Sequence, residues 1–530
     1  MSTLFQLVCF LRRQWGLSIA CVGLAAFAIA GITAWLAPFT PRMHDEFSHL
    51  LAADTLLQGR LTNPTPEVWQ PFQSFHILVS PAYVSKYPLG QGMIVALGWW
   101  LFGTPVAGCW LAAALCAAST TWMLAGITSR RWAVAGGLLL ACHPAMQSLW
   151  SQTLMSGWLT ATGSTLLAGG IFRLRRRHTP LAAVAAGCGI GLLAVTRPFE
   201  GLVATGISAA VLWNLWRGKN FRSKLSAVLQ IVPTAAFPIA AALCLIAMQN
   251  FAISGRLSAL PYQLHEEQYA AAPLFVFGQQ QTPGLEATGI IPETIRDYHY
   301  GWSLTGFLER AGAVGWLTGI GQAAWTTWTF WVVLALVPML SAGYWIGYRV
   351  PRLLAGAVVV QILCSATVCW IYPHYLSPLL PWLVALTVIG LRRIFRIFVR
   401  AQCVRLDQPH RFVVPILAIQ SILLMITAVR MSHDPDHAWA LRRSAIAADM
   451  QQRSGEHLVL VHYAPQHNVH EEWVYNLADL QRSKTLWARG ERDDWNEQLT
   501  ACYASSRFIW ELRPDEVDCQ PVLLCAPAAD

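Results

Sequence analysis

The chain has 530 residues, of which 55% are hydrophobic and only 12% are charged. Soluble proteins carry about 25% charged residues, so this composition excludes an ordinary soluble protein and predicts a polytopic membrane protein. The formal net charge of +9 does not indicate nucleic acid binding, because nearly all Lys and Arg lie between apolar segments, as the charges of cytoplasmic loops do.

The first apolar stretch, residues 16–36, contains no charged side chain and is long enough to cross the roughly 30 Å hydrocarbon layer of a bilayer. It is too long for a signal peptide and lacks a small-residue cleavage pattern, so we expect it to stay as the first span. The polar segment after it opens with His44-Asp45-Glu46-Phe47. Two carboxylates beside a membrane are costly without a task, which favours a functional site. The alternative is that they cap a helix and interact with its N-terminal dipole.

A second apolar stretch, residues 89–102, decides the orientation of everything downstream. At about 14 residues it is short for a crossing. If it does not cross, every Arg/Lys cluster falls on one side of the membrane, as the positive-inside rule requires. These clusters are Arg12/Arg13, Arg130/Arg131, Arg173 with Arg175 to Arg177, Arg217 to Lys224, Arg349/Arg352 and Arg392 to Arg411. We therefore predict that residues 89–102 form a helix lying in the membrane interface.

The resulting fold class is a polytopic α-helical membrane protein of about eleven transmembrane helices with a small C-terminal α/β domain outside the membrane. The predicted spans are 16–36, 106–127, 132–150, 156–172, 181–195, 201–216, 225–253, 325–346, 353–371, 376–391 and 412–428. The N-terminus is predicted to lie inside and the C-terminus outside. Residues 1–429 then form the transmembrane domain, with outer loops at 37–105 and 254–324, and residues 430–530 form the outer domain.

The tail alternates between helical and strand patterns, which predicts a small α/β domain of about 100 residues. Its predicted elements are a helix over 438–452, a strand over 457–463, a strand over 484–489, a helix over 493–504 and a strand over 507–512. In an oxidising outer compartment we expect Cys502 to bridge Cys519, with Cys525 as the alternative partner for either.

Polar and aromatic residues in the tail leave two questions open. The spacing of His462, His467 and His470 suits a zinc site, although a loop satisfied by hydrogen bonds is the favoured interpretation. The following segment, Trp473 to Asn476, indicates either carbohydrate contact or packing against the core.

The first outer loop gathers the side chains that carry the predicted chemistry. A carboxylate at the membrane surface acts as a general base when it lies within hydrogen-bond reach of an acceptor hydroxyl or amine, and Asp45 is our candidate. Glu46 points elsewhere on a helix and is expected to orient an acceptor, bind a divalent cation or hold Asp45 in place. The sequence does not decide whether a metal is needed. His76, Lys86 and Tyr87 are predicted substrate-binding residues of the same loop.

A lipid phosphate leaving group needs positive charge or hydrogen-bond donors. Arg197, which precedes Pro198, and His374, between Pro373 and Tyr375, fall on the predicted outer side together with Lys86. We predict that Arg197, His374 and Tyr375 bind substrate and converge with Asp45 on one outward-opening pocket. For each single residue the alternative is a side chain that snorkels to lipid headgroups.

These features together resemble the GT-C membrane glycosyltransferases, in particular the bacterial branch related to protein mannosyltransferases and the aminoarabinose transferase of lipid A. The similar features are a first span, the acidic pair, Lys86-Tyr87-Pro88 before an interfacial helix, Arg130-Arg131 between the next spans, and a segment from Tyr372 to Pro378 in which His374 takes the cationic position.

The resemblance implies transfer of a sugar from a polyprenyl-phosphate donor to a glycan, lipid or protein acceptor, with inversion, at the outer face of a bacterial inner membrane. Asp45 is then the base and Glu46 its companion. Where many relatives carry an acid in the second outer loop, this chain has Ser151 to Met155, which argues against a metal-assisted mechanism that relies on that second acid. The rival interpretations are a non-catalytic assembly or binding protein with this architecture and a lipid or glycan transporter. Transporters more often show mid-membrane charges and repeated halves.

Overall fold

The computed structural model describes residues 14–175, 179–218, 220–284, 290–330, 347–403, 405, 410–433 and 438–527. The fold is mostly helical. In chain order the elements are α1 (Trp15–Leu36), α2 (His44–Leu57), β1 (Ile77–Leu78), β2 (Val84–Ser85), α3 (Leu89–Phe102), α4 (Ala107–Leu124), α5 (Arg130–Ala141), α6 (Gly157–Leu174), α7 (Pro180–Thr196), α8 (Pro198–Leu215), α9 (Phe221–Ser254), α10 (Pro261–Tyr269), α11 (Glu293–Arg296), α12 (Leu304–Arg310), α13 (Gly312–Phe330), α14 (Arg349–Ser365), α15 (Leu380–Arg400), α16 (His410–Ser432), α17 (Ala438–Gln452), β3 (His457–Val461), β4 (Thr485–Arg489), α18 (Asp493–Tyr503), β5 (Phe508–Leu512) and β6 (Val522–Cys525).

Four helices, α1, α4, α9 and α16, are long and apolar enough to cross a membrane among the residues that the structure describes. All eleven predicted spans overlap a described helix, but several of these helices are short or interrupted. The predicted span 132–150 is α5 followed by a break at Cys142-His143 and, after Pro144, a π-helix, Met146–Trp150, because proline removes a backbone donor. Residues 331–346 of the span 325–346 lie outside the described residues. The count of about eleven spans therefore stays a prediction.

The chain forms two compact units, each assembled from three segments. Unit 1 comprises Met1–Pro38, Phe102–Leu245 and Val314–His433, and unit 2 comprises Phe39–Leu101, Ile246–Ala313 and Asp434–Asp530. The polar first loop, the polar second loop and the tail thus share unit 2. The division that we predicted from composition, into 1–429 and 430–530, cuts the chain once, whereas each of these units combines three segments.

Helix packing in unit 1 depends on small residues that let backbones approach closely. A Cβ atom at Gly170 in α6 would lie 2.6 Å from the carbonyl oxygen of Ala182 in α7. One at Gly189 in α7 would lie 2.5 Å from the carbonyl oxygen of Gly163. Neither position has room for a larger side chain unless the two helices separate.

The tail contains a four-stranded sheet of order β4-β3-β5-β6, in which β3 is parallel to both β4 and β5, and β6 is antiparallel to β5. This confirms the small C-terminal sheet, and its predicted elements agree with the observed bounds to within two residues. The sheet does not have a core of its own. Phe47 and Leu51 of α2 and Phe72 of the first loop belong to the same buried cluster as Leu458 and Val459 of β3.

Arg489 joins all three segments of unit 2 at the end of β4. Its side chain is fully buried and pairs with the carboxylate of Glu472. Its guanidinium donates to the carbonyl oxygen of Gln73 in the first loop at 2.9 Å and to Thr294 in the second loop. A buried guanidinium without such partners would be costly, so these bonds fix the two loops against the sheet.

The predicted disulfide is wrong. Cys502, Cys519 and Cys525 are all free thiols. Cys519 is buried against the core of unit 2, whereas Cys502 is exposed on α18. The sequence places Cys502 late in a predicted helix and Cys519 after a predicted strand, but it does not show that the two side chains have different surroundings.

Candidate functional site

The acidic pair begins α2, and its two members face different surroundings. The Glu46 side chain is fully buried, and its Oε2 accepts hydrogen bonds from the backbone N–H groups of Arg42 at 2.8 Å and Met43 at 3.0 Å. Both contacts satisfy donors at the helix N-terminus. Glu46 therefore caps the helix, which is the alternative that we considered for the acidic pair. These contacts do not indicate that it binds an acceptor substrate.

Asp45 is the partly exposed member of the pair, with 29% of its side chain accessible. Its Oδ1 accepts a short hydrogen bond from the hydroxyl of Tyr87. The Nδ1 atom of His76 lies 3.0 Å from the same hydroxyl and 3.5 Å from Asp45 Oδ1. Three of the residues predicted from the sequence, Asp45, His76 and Tyr87, therefore form one contact group.

The backbone of His76 is held in an unusual conformation by several hydrogen bonds. Its φ angle is +60°, a left-handed conformation that L side chains rarely adopt. Its carbonyl oxygen accepts from Ser48 Oγ at 2.6 Å and from the Lys86 N–H at 3.2 Å. Ser48 also contacts Ser85 of β2 at 2.7 Å. Helix α2 and the β1–β2 hairpin together fix the imidazole beside Asp45.

Three further histidines, which our sequence analysis did not select, surround this group. His44 stacks on Phe75 with ring centroids 4.1 Å apart, and its Nδ1 lies 2.7 Å from the hydroxyl of Tyr475. The ring of His265 lies 6.2 Å from that of His76 and 6.1 Å from that of His299. We refer to His44, His76, His265 and His299 as the histidine shell.

Burial keeps the histidine shell uncharged near neutral pH. It is the largest cause that lowers the pKa of each member, and Lys86 adds to it at His76, His265 and His299. For His76 the second cause is Lys86, which is opposed by Asp45. The side chains that face Asp45 from the rest of unit 2 are therefore mostly neutral donors or acceptors.

Lys86 is the buried cation of the site, and only 5% of it is accessible. Its Nζ lies 3.8 Å from Oε1 of Glu266 in α10 and 5.0 Å from the ring centroid of Tyr262. Burial lowers the pKa of Lys86, whereas Glu266 and Asp45 raise it. Burial also raises the pKa of Glu266, and Lys86 opposes that shift. The pair gives Lys86 a counter-charge that the sequence did not reveal.

The other predicted cationic residues form a separate group in unit 1. The guanidinium of Arg197, at the junction of α7 and α8, lies 4.0 Å from the ring centroid of Tyr375. It also donates to Ser156 at 3.1 Å and to Glu200 at 3.3 Å. The buried His374 ring lies 4.7 Å from that of Tyr375. Arg197 and His374 therefore both lie against the ring of Tyr375, and the structure brings these three predicted residues together.

The segment that lacks an acid, Ser151 to Met155, is packed into unit 1 by hydrogen bonds. Gln152 donates to the carbonyl oxygen of Ala30 in α1 at 3.0 Å, and Ser151 donates to Gln147 at 2.7 Å. Trp158 donates its indole N–H to Ser151 at 2.8 Å. Neutral side chains thus perform a structural task at this position.

The tail histidines serve separate contacts. His467 binds Asp515 at 2.7 Å, His462 lies 3.9 Å from Glu511, and the His470 ring lies 5.2 Å from that of Trp302. Within the described ranges, no group of three or more His, Cys, Asp or Glu side chains is arranged to hold a metal ion. The hydrogen-bonded alternative therefore fits this loop. Trp473 and Tyr475 are buried, and Asn476 bonds the backbone of Trp487 at 2.8 and 2.9 Å, so packing accounts for all three.

The sequence offered only a weak signal for the residues that we missed. His265-Glu266 and His299 lie in the second loop among aromatic residues, but their distance along the chain from Lys86 gave no reason to group them. Their assembly depends on α10 and the π-helix Asp297–Ser303 packing within unit 2. Such a π-helix is a rare element that often occurs at functional sites.

Two proteins illustrate the comparison with solved structures. ArnT from Cupriavidus metallidurans, solved bound to undecaprenyl phosphate, gives a TM-score of 0.52 at 14% identity over 94% of this chain and 93% of that chain. The oligosaccharyltransferase from Archaeoglobus fulgidus, solved in complex with Zn and sulfate, gives 0.52 at 12% identity over 93% of this chain and 68% of that chain. No family model and no curated protein matches the chain. At such identities the similarity establishes the fold alone, and this chain has the fold of these two proteins, which agrees with the GT-C resemblance of its sequence motifs.

Proposed function

We propose that this protein transfers a sugar from a polyprenyl-phosphate donor to an acceptor, with Asp45 as the general base. The observation that supports this most directly is the partly exposed Asp45 carboxylate held by Tyr87 and His76, beside the buried cation Lys86. A base and a cation in one compact unit provide the two opposite charges that such a transfer needs.

In the proposed reaction, Asp45 accepts the proton of an acceptor hydroxyl or amine. The acceptor oxygen or nitrogen forms a bond to the anomeric carbon of the sugar while the bond from that carbon to the phosphate oxygen breaks. The bonding electron pair leaves with the phosphate, and attack from the opposite side inverts the anomeric carbon.

Lys86 is the proposed donor to the departing phosphate, because it is a buried cation whose charged form is stabilised by the carboxylates of Glu266 and Asp45 against the effect of burial. Arg197 and His374 stay predicted phosphate donors. Glu46, the predicted ligand of a divalent cation, accepts two backbone N–H groups through Oε2, so the proposed reaction has no step through a metal at this residue.

The proposed location is the outer face of a bacterial inner membrane, with the N-terminus inside and unit 2 outside. Cysteine accessibility tests this topology. An Arg175→Cys variant should react with a membrane-impermeant maleimide only after the cells are opened, and a Val517→Cys variant should react in intact cells, because Val517 is 99% exposed. Cys502, which is exposed, should be replaced in both backgrounds. The opposite labelling pattern would contradict the topology.

The donor and acceptor can be identified by mass spectrometry of cell-envelope glycans and polyprenyl-phosphate sugars in a deletion strain. We expect one acceptor to lose a sugar and the matching polyprenyl-phosphate sugar to accumulate. A transporter would change the distribution of a lipid across the membrane without accumulation of an unused donor. If the protein is a non-catalytic assembly protein, the Asp45→Asn variant should rescue the deletion strain. If it is a transferase, the variant should not.

A further inference from the structure

Tyr87 and His76 form a directed hydrogen-bond chain that ends at Asp45. A carboxylate oxygen only accepts hydrogen bonds, so the single hydroxyl proton of Tyr87 is donated to Asp45 Oδ1. The hydroxyl oxygen must then accept from His76, whose Nδ1 lies 3.0 Å away. His76 is therefore the tautomer with its proton on Nδ1, which also lies 3.5 Å from Asp45 Oδ1.

We infer that Tyr87 and His76 are positioning residues that keep Asp45 ionised and aligned as the base, rather than residues that bind substrate. This inference rests on the proposed function for its kinetic consequence. Donors aimed at a carboxylate stabilise its charged form, and they also restrict its rotation. The left-handed conformation of His76, secured by Ser48 and Lys86, is consistent with a ring that is held for this purpose.

Other ionisable groups also face this chain. They are His44 and His49 of α2, Lys86 of the hairpin segment, Tyr262, His265 and Glu266 of α10, Tyr298 and His299 of the π-helix and Tyr475 of the tail. All of them stay in place when only the Tyr87 hydroxyl is removed. A difference between wild type and Tyr87→Phe therefore reports on the hydroxyl.

The first test is the pH dependence of kcat/KM for sugar transfer. In Tyr87→Phe the acid limb should move to higher pH by about one unit, because a hydrogen bond to a charged group is worth about that much in pKa, while the rate at alkaline pH stays close to wild type. His76→Asn, which tolerates the left-handed backbone, should shift the limb in the same direction. Tyr503→Phe, in the tail, is the matched control and should leave the profile unchanged. A rate lowered equally at every pH would show a merely structural role and overturn the inference.

The second test does not need activity. A carbodiimide reacts with the protonated carboxyl group, so peptide mapping after labelling at several pH values gives the pH at which half of Asp45 is protonated. In the wild-type protein this pH should lie below that of the exposed Asp518, and it should rise in Tyr87→Phe and His76→Asn.

Equal half-labelling pH for Asp45 and Asp518 in the wild type, or no rise in either folded variant, would contradict the inference. If the wild type transfers no sugar but the labelling shifts are found, the proposed function fails and the hydrogen-bond chain stands. If transfer occurs with Asp45 as base but neither curve moves, only the positioning role fails.

Discussion

At the scale of single residues, the two acids of the same dipeptide have different surroundings. Glu46 is buried and accepts two backbone N–H groups, while Asp45 is partly exposed and held by a phenol and an imidazole. Sequence analysis identified the pair but could not separate its members, because adjacent residues on a helix point about 100° apart and the sequence does not say which direction is the interior.

Glu46→Gln should therefore affect stability more than the rate of transfer. The amide oxygen can still accept, but the loss of charge at the helix N-terminus should cost about 1 kcal/mol. Thermal unfolding in detergent and turnover of the folded fraction measure the two effects. Glu67→Gln, at an exposed position in the same loop, is the control and should change neither. A folded Glu46→Gln protein without activity would restore a catalytic role for Glu46.

Lys86→Met should destabilise the protein because it leaves Glu266 without its buried counter-charge. We expect a loss of about 1–3 kcal/mol and no sugar transfer. Adding Glu266→Gln should recover much of the stability, since the pair is then removed together, but not the activity, since the proposed phosphate donor is still missing. Recovery of activity in the double variant would show that Lys86 only neutralises Glu266.

The histidine shell should make the stability of the protein sensitive to mild acid. Its members have pKa values below those of the unfolded chain, so the unfolded state binds more protons. Stability is then fully present above the unfolded value of about 6.5 and falls as the pH drops below it. The temperature of thermal unfolding should therefore be lower at roughly pH 5.5 than at roughly pH 7.5. His299→Gln should weaken the pH dependence, and His433→Gln, at an exposed position, should leave it unchanged.

At the scale of elements, the sequence predicted some units closely and others poorly. The helices Leu89–Phe102 and Ala438–Gln452 have the predicted bounds, because hydrophobic periodicity and flanking polar residues mark them locally. The predicted span 132–150 instead contains a turn and a π-helix, which hydropathy alone does not reveal. The shared core of α2 and β3 joins residues about 400 positions apart, and no local pattern encodes that contact.

The close contact between α6 and α7 gives a prediction at this scale. Gly170→Ala should destabilise unit 1 by about 1–3 kcal/mol, because the new methyl group meets a backbone carbonyl that cannot move alone. Gly206→Ala in α8 is the matched control. A Cβ atom there meets nothing within 4 Å, so the better helix propensity of alanine should leave stability unchanged or raise it by up to about 1 kcal/mol. Equal thermal stability of the two variants would contradict the packing described here.

At the scale of the whole molecule, the resemblance seen in short motifs is confirmed by the fold. Similarity to ArnT covers 94% of this chain, although no single motif exceeds a few residues. What the sequence could not provide is the composition of unit 2, in which two loops and the tail combine into one unit. The histidine shell and the Lys86–Glu266 pair depend on that assembly and therefore became visible only in three dimensions.

The central claim is that Asp45 is the general base of a sugar transfer, and its most direct test is turnover by purified Asp45→Asn protein. The amide keeps the shape of the side chain but cannot take the acceptor's proton. Transfer should fall by about 10² to 10⁴, while thermal unfolding and binding of a polyprenyl phosphate stay close to wild type, and Asp518→Asn serves as the matched control with full activity. Turnover near the wild-type rate in a folded Asp45→Asn protein would contradict the account.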